Sequence, residues 1–274
     1  MKKILITIIG GVALGLLVAP NANAQDTKRP LFDGKSLAGW EVLKDEHNLW
    51  RVEGGLITAG SLTQKVPHNS FIATKRSFHN FDLRLKIRIT GTEGFVNSGI
   101  QIRSVRVPGS HEMIGYQVDA GRGWWGKLYD ESRRREVIGE SADADAVNRA
   151  VKEDGWNDYR IRAEGTRIRS WINGVAALDY TEAEPNIPQD GQIGLQVHGN
   201  GKTLVQVKDV TIEILPPTPN APTWEKVDLP KGKRKRAGRP QAASEAKRLA
   251  KRRGLLSHRA GELLRLIRGE GHRA

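Results

Sequence analysis

The sequence predicts an all-β chain folded as an antiparallel sandwich or jelly roll. Apolar and polar residues alternate with a period of two over many short runs, and turn residues punctuate those runs. The long helical repeats that a parallel sheet needs between its strands are absent.

The elements follow in chain order. "LWRVEGGLITAG" and "SFIAT" read as strand candidates, with Glu53 before Gly54-Gly55 as a turn residue in its bland reading. "FDLRLKIRI" places Leu83, Leu85, Ile87 and Ile89 on one face and Asp82, Arg84, Lys86 and Arg88 on the other. "NSGIQIRS" and "EMIGYQVDAG" are two further strands. "ESADADAVNRAVKEDG" is the one stretch with a turn or two of helix. "YRIRAEGTRIRSWINGVAALDY" reads as a three-strand meander. Its turns are near Gly165-Thr166 and at Asn173-Gly174, where both residues accept positive φ. "GQIGLQVHG" and "LVQVKDVTIEIL" close the series, the second with a break expected at Lys208-Asp209. About ten short strands of this kind fit a sandwich.

The ends differ from the body. "MKKILITIIGGVALGLLVAPNANAQ" has a basic start, an apolar stretch too short to span a bilayer, and a small-x-small site at Ala22-Asn23-Ala24. Residues 1–24 therefore read as a signal peptide, and the protein as exported to a periplasmic or extracellular location. The chain has no Cys, which excludes disulfides, thiol nucleophiles and cysteine metal sites. The formal charge of +13 is concentrated: from Lys226 onward there are 16 Lys/Arg against 4 Asp/Glu, and residues 1–225 hold 28 against 27. Residues 25–215 read as one domain, 216–225, with "PPTPNAP", as a Pro-rich linker, and 226–274 as a basic low-complexity tail. Such a tail reads as a disordered extension. Its density of Lys and Arg binds phosphate with little sequence information, and export argues against chromosomal DNA, so no specific nucleic acid is expected. Anionic envelope polymers are the expected contacts, or an anionic membrane surface through the leucines between Leu249 and Ile267.

Motifs for common chemistries fail on context. Gly121-Arg122-Gly123-Trp124-Trp125-Gly126 matches a dinucleotide fingerprint in letters, but two tryptophans fill its variable positions and a strand-like "KLYDE" follows where a helix is required. His111-Glu112 lacks the second His of a zinc-protease helix.

Three strands share a different signature. Gln101 and Arg103, Gln117 and Asp119, and Gln196 and His198 are each two residues apart, and the alternate positions are apolar. Residues two apart project from one sheet face. If the strands are neighbours, amide, guanidinium, carboxylate and imidazole groups converge on one surface. Amides supply the paired donors and acceptors that suit sugar hydroxyls. The bland alternative is the solvated polar face of an ordinary antiparallel sheet.

"LFDGKSLAGWEV", "WRVEGGLITAG", "FHNFDLRLKIRI", "NSGIQIRS", "GYQVDAG", "GWNDYRIRAEGTRIRSWINGV" and "GQIGLQVHG" followed by "VQVKDVTIEIL" occur in order over residues 30–215. Together they resemble the 3-keto-disaccharide hydrolase family, also described as 3-keto-glucoside 1,2-lyase and 3-keto-2-hydroxy-glucal hydratase. The resemblance implies a concanavalin-A-like jelly roll of two antiparallel sheets, with a small carbohydrate substrate on the concave sheet. It implies Asn97, Gln101, Arg103, Gln117, Asp119 and His198 as site residues. Family members often carry an acidic residue where this chain has Gln117, so that position is not read as an acid/base group.

In a 3-keto sugar the ketone acidifies the C2 hydrogen, a base removes it, the C1 oxygen leaves, and water adds back to the enone. Asp119 or His198 is the expected base, with Arg103 facing the developing oxyanion at C3. Asn97, Gln101 and Gln117 are expected to hold hydroxyls, and Glu53 to stand at the rim as a second carboxylate. Trp124 and Trp125 offer indole faces to a sugar ring. No cofactor is expected; a Ca²⁺ ion on Asp119 is a minority alternative, since no dense acidic cluster accompanies it. The competing function is a carbohydrate-binding, lectin-like module without catalysis, because this fold hosts both.

Overall fold

The computed structural model describes residues 28–229. The signal-peptide reading of residues 1–24, and the tail beyond residue 229, lie outside the described residues.

Among the described residues, fifteen strands and one short α-helix, with two single 3₁₀ turns besides, follow in order: β1 Lys28–Pro30, β2 Trp40–Val42, β3 Trp50–Glu53, β4 Leu56–Gly60, β5 Ser70–Ser77, β6 Asn80–Glu93, β7 Asn97–Arg106, β8 Met113–Gly121, β9 Leu128–Glu131, β10 Val137–Gly139, α1 Ala144–Ala150, β11 Asn157–Glu164, β12 Arg167–Ile172, β13 Val175–Thr181, β14 Gln192–Val197 and β15 Lys202–Leu215. They form two antiparallel sheets. One has eight strands, ordered β13-β12-β11-β6-β15-β4-β3 with β1 added beside β15; the other has seven, ordered β10-β9-β8-β7-β14-β5-β2. Sequential hairpins alternate with pairings between distant strands, such as β6 with β15 and β7 with β14, as in a jelly roll.

The alternation decides the core. Leu83, Leu85, Ile87 and Ile89 of β6 pack with Ile100 and Ile102 of β7, Tyr116 and Val118 of β8, and Leu195 and Val197 of β14 in a single cluster between the sheets. Each such side chain contributes about 1.5–3 kcal/mol on burial. Asn173 (φ 50) and Gly174 (φ 85) make the β12–β13 hairpin turn that their pairing predicts. The expected break in β15 is a bulge at Asp209, φ 54, within an otherwise continuous strand. Gly121 ends β8, Gly123 and Gly126 lie in the loop before β9, and a strand rather than a helix follows them.

Two expectations change. The first concerns Arg103. In the β7–β8 ladder Ile102 pairs with Tyr116 and Val105 with Ile114, so Arg103 and Ser104 together oppose Gly115. Arg103 sits at φ 49 in this bulge. The extra residue breaks the period of two and turns Arg103 away from Gln101 into the interior, where it is 1% exposed. Its Nε donates to the His79 carbonyl (3.0 Å), Nη1 to the Gly165 carbonyl (2.6 Å) and Nη2 to Asn80 Oδ1 (2.8 Å).

The second concerns residues 216–225, which are fastened down and do not act as a linker. Asn80 Nδ2 donates to the Pro216 carbonyl (2.7 Å) and to Thr218 Oγ1 (3.1 Å), and Gln189 N–H to the Pro222 carbonyl (2.9 Å). Trp224 is buried against Val107 and Ile114, and its Nε1 donates to the Arg103 carbonyl at 3.0 Å. Prolines remove donors without preventing a chain from lying on a surface that supplies them.

Candidate active site on the outer face of the seven-stranded sheet

Asn97, Gly99 and Gln101 of β7 alternate with the core residues Ser98, Ile100 and Ile102, and so face outward. Gly99 pairs with Asp119 of β8 on one side and with Gln196 of β14 on the other; Gln101 pairs with Gln117, which in turn pairs with Tyr129 of β9. Residues from four adjacent strands thus share a face. They floor a pocket of about 220 Å³ lined by Asn97, Gln117, Asp119, Tyr129, Glu131 and His198, with Asn69, Phe95 and Trp124 at its edges. That is below the about 300–1,000 Å³ of drug-sized ligand sites and suits one sugar ring.

A directional chain of hydrogen bonds sets the floor. Ser104 Oγ donates to Gln101 Oε1 (2.6 Å), Gln101 Nε2 to Gln117 Oε1 (2.9 Å), and Gln117 Nε2 to Asp119 Oδ1 (2.8 Å). Gly99 makes room for it: a Cβ there would sit 2.5 Å from the Gln117 side chain. Behind Asp119, the Tyr159 hydroxyl reaches across from the other sheet to its carbonyl at 2.9 Å. Asp119 Oδ2 and Asn97 Nδ2, both from residues that line the pocket, are buried without a partner. Buried polar atoms are normally satisfied, so two orphans on one pocket floor point to a ligand. Burial pushes the Asp119 carboxyl up to about 8, opposed by the Gln117 hydrogen bond and aided by the negative charge of Glu131.

The walls come from loops. His198 follows β14; its Nδ1 lies 2.8 Å from the Gly199 carbonyl, and the Phe95 ring meets it edge-on at 4.6 Å. Asn69 Oδ1 accepts from Gly199 N–H at 3.1 Å and steadies that turn. Trp124 stands edge-to-face with Phe95 (6.1 Å) and Tyr129 (6.4 Å), so three aromatic rings border the opening. Phe95 is 40% exposed and presents its ring at the opening.

The family model of the 3-keto-alpha-glucoside-1,2-lyase-like domain matches residues 27–213. The chain belongs to this family. No curated protein matches the chain. Among solved structures, a Parabacteroides distasonis protein proposed to be a glycosyl hydrolase is 18% identical, with 69% of this chain and 94% of that one covered and a TM-score of 0.50. A Bacillus subtilis protein of unknown function with a galectin-like fold is 10% identical over 68% of this chain and 94% of that one, at a TM-score of 0.51. The B. subtilis carbohydrate-binding module CBM66 is 20% identical over 64% and 95%, at 0.47. At these identities the first two likenesses, at TM-scores of 0.50 and 0.51, show the fold alone, a jelly roll. Family membership gives the 3-keto-alpha-glucoside-1,2-lyase-like domain a carbohydrate-active role.

Of the residues the sequence singles out, Asn97, Gln117, Asp119, His198 and Trp124 line this one pocket of the lyase-like domain. Gln101 lies beneath it, fully buried, and holds Gln117. Arg103 is excluded by its bulge, as described above. Glu53 ends an edge strand of the opposite sheet, exposed and paired with Arg51 at 3.0 Å, because the Gly54-Gly55 turn carries it away from the pocket. Trp125 turns into the core, 9% exposed and packed near Tyr159, since successive residues of a tight loop point to opposite sides.

Asn69, Phe95, Tyr129 and Glu131 are pocket residues that sequence reasoning missed. "KLYDE" does carry the period of two that puts Tyr129 and Glu131 on one face, with Leu128 and Asp130 buried on the other. Asn69 and Phe95 lie in loops without a pattern. Among the described residues no group of three or more His, Asp or Glu is placed to hold a metal ion, and no helix is long and apolar enough to cross a membrane.

Proposed function

We propose that this domain cleaves 3-keto-glycosides by eliminating the substituent at C1, with His198 as base and a neutral Asp119 donating to the C3 oxygen. The observation that carries the reading is Asp119: a carboxyl raised to about 8, hydrogen-bonded at Oδ1 and unpartnered at Oδ2, on the pocket floor.

At neutral pH such a group keeps its proton and is a donor. The pattern matches enzymes that hold a carboxylic acid neutral to stabilise an enolate. Asn97 Nδ2, the other unspent donor, joins it, and the two form a small oxyanion hole for the enolate that develops when the C2 proton leaves. The Gly199 carbonyl only accepts, so His198 Nδ1 carries the proton and Nε2 keeps its lone pair. That nitrogen is the base. The ring of Phe95, Trp124 and Tyr129 covers the apolar face of the sugar. Water then adds to the enone and completes net hydrolysis. The reading includes export, from the N-terminal leader, and leaves the basic tail to touch anionic envelope polymers.

The test is product formation from 3-keto-trehalose or 3-ketosucrose. The expected result is release of the C1 substituent with transient enone absorbance, while the unoxidised disaccharides stay intact. Sugar binding with no bond cleavage identifies a lectin-like module instead.

A further inference from the structure

Elimination also requires a proton on the departing glycosidic oxygen, and neither His198 nor Asp119 is free to give it once one is taking the C2 proton and the other is holding the enolate. We infer that Glu131 is the acid that protonates this oxygen, and that, once ionised, it draws a proton from the water that adds to the enone. The inference rests on the elimination reading above.

Glu131 lines the same pocket as Asp119 and His198. It rises from β9, while His198 follows β14, and β8 and β7 lie between them. Base and acid therefore stand on opposite walls with the oxyanion donors on the floor between, an arrangement that lets one side chain work at C2 while the other reaches the C1 substituent. The contrast with its neighbour is informative. Asp130 points inward and is bound by both Arg133 and Arg134, so its charge is spent on structure. Glu131 points outward, and the groups that face it are mixed. Glu112, from the loop between β7 and β8, repels its charge; Ser132 and Arg135, from the turn after β9, favour it, and Asp119 of β8 faces it in its neutral form. Burial and Glu112 outweigh the rest and push the carboxyl up to about 7, where it holds or releases a proton with equal ease. Tyr129, one step along the same face, is raised in the same field and stays neutral.

The step balances. The C2–H proton passes to His198 Nε2, and its electron pair becomes the C1=C2 double bond. The C1–O pair leaves with the glycosidic oxygen, which takes the Glu131 proton. In hydration the Glu131 carboxylate removes a proton from water as the water oxygen bonds to C1, and His198 returns its proton to C2. Both groups end as they began.

The experiment compares the whole protein with E131Q and E131D on two substrates: 4-nitrophenyl 3-keto-glucoside, whose phenolate departs without help, and 3-keto-trehalose, whose sugar alkoxide does not. General acid catalysis is worth about 10²–10⁴-fold. Read as release of the C1 substituent, before hydration, E131Q should therefore lose at least about 100-fold in rate on the disaccharide and stay within about threefold on the nitrophenyl glycoside, with a melting temperature no lower than that of the unaltered protein. E131D should recover part of the disaccharide rate, and the alkaline fall of kcat near pH 7 should vanish for E131Q. Equal losses on both substrates, or no loss on either, overturn the assignment of Glu131 and leave the elimination reading standing. If the unaltered protein cleaves neither substrate, the elimination reading falls and Glu131 with it. Should E131Q not fold, the dependence of the E131D rate on leaving-group acidity decides: a steeper slope than the unaltered protein supports the role, and an equal slope removes it.

Discussion

Gln117 Nε2 donates to Asp119 Oδ1 at 2.8 Å, and this bond leaves Oδ2 as the carboxyl oxygen turned to the pocket without a partner. The amide at position 117 orients the acid beside it. An acidic residue at 117 would set two acceptors against each other.

Asp119 should impose a pH dependence on both activity and stability. Its folded pKa of about 8 lies above the ordinary 3.8. Between those values the folded chain keeps a proton that the unfolded chain has lost, so stability falls as pH rises. The slope from this group is up to about 1.4 kcal/mol per pH unit. Asp119→Asn is neutral throughout, removes that slope, and should melt above the unaltered protein by the widest margin near pH 9. The same variant should lose the alkaline limb of kcat that belongs to Asp119, and Asp119→Ala should cost about 100-fold or more in kcat. Melting curves and rate profiles from pH 5 to 9 check both; an unshifted melting difference across that range contradicts the raised pKa.

His198 and Trp124 should separate chemistry from binding. His198→Gln is expected to lower kcat on 3-keto-trehalose by about 10²–10⁴-fold with little change in KM. Trp124→Ala should raise KM by roughly 3–10-fold, the worth of one aromatic face, and leave kcat near its original value. Steady-state kinetics on the two variants measure this, and a kcat effect confined to Trp124→Ala would reverse the roles.

Arg103 is a structural group. Burial pulls its guanidinium down to about 10, which leaves it charged at neutral pH, and three oxygen acceptors hold it. Arg103→Ala strands the Asn80 and Gly165 oxygens and should cost about 3–5 kcal/mol in urea unfolding, with Arg103→Lys recovering little because an ammonium cannot reproduce the fork. The fraction that remains folded should keep its kcat. Loss of kcat at full stability would return Arg103 to the chemistry.

Truncation should distinguish the packed segment from the tail. A chain ending at Leu229 should melt with the full protein. A chain ending at Pro217 removes Trp224 from Val107 and Ile114 and should lose about 3–5 kcal/mol, as for a buried aromatic truncated to nothing. Thermal melts of the two lengths give the answer, and equal melting temperatures would restore the linker reading.

Much of this protein is legible in one dimension. A period of two needs only local chain geometry, so the faces of β6, β7, β8 and β14, the hairpin at Asn173-Gly174 and the bulge at Asp209 follow from the sequence directly. The same rule puts Gln101 on one face of its strand and Gln117 and Asp119 on one face of theirs, whereas Asn97 follows from the family resemblance. What it does not carry is any break in the period, or any pairing between distant segments. Tertiary structure turned Arg103 inward, because a bulge opposite Gly115 shifts the alternation by one residue and the ladder partner, 12 positions away, decides where the extra residue sits. It laid residues 216–229 against the domain through Asn80 and Arg103, and it set Asn69, Phe95 and Glu131 around Asp119 from loops and a short strand. Side-chain direction is a local property of the backbone; burial, and with it the proton affinity of Asp119 and Glu131, is a property of what the rest of the chain puts in front of them.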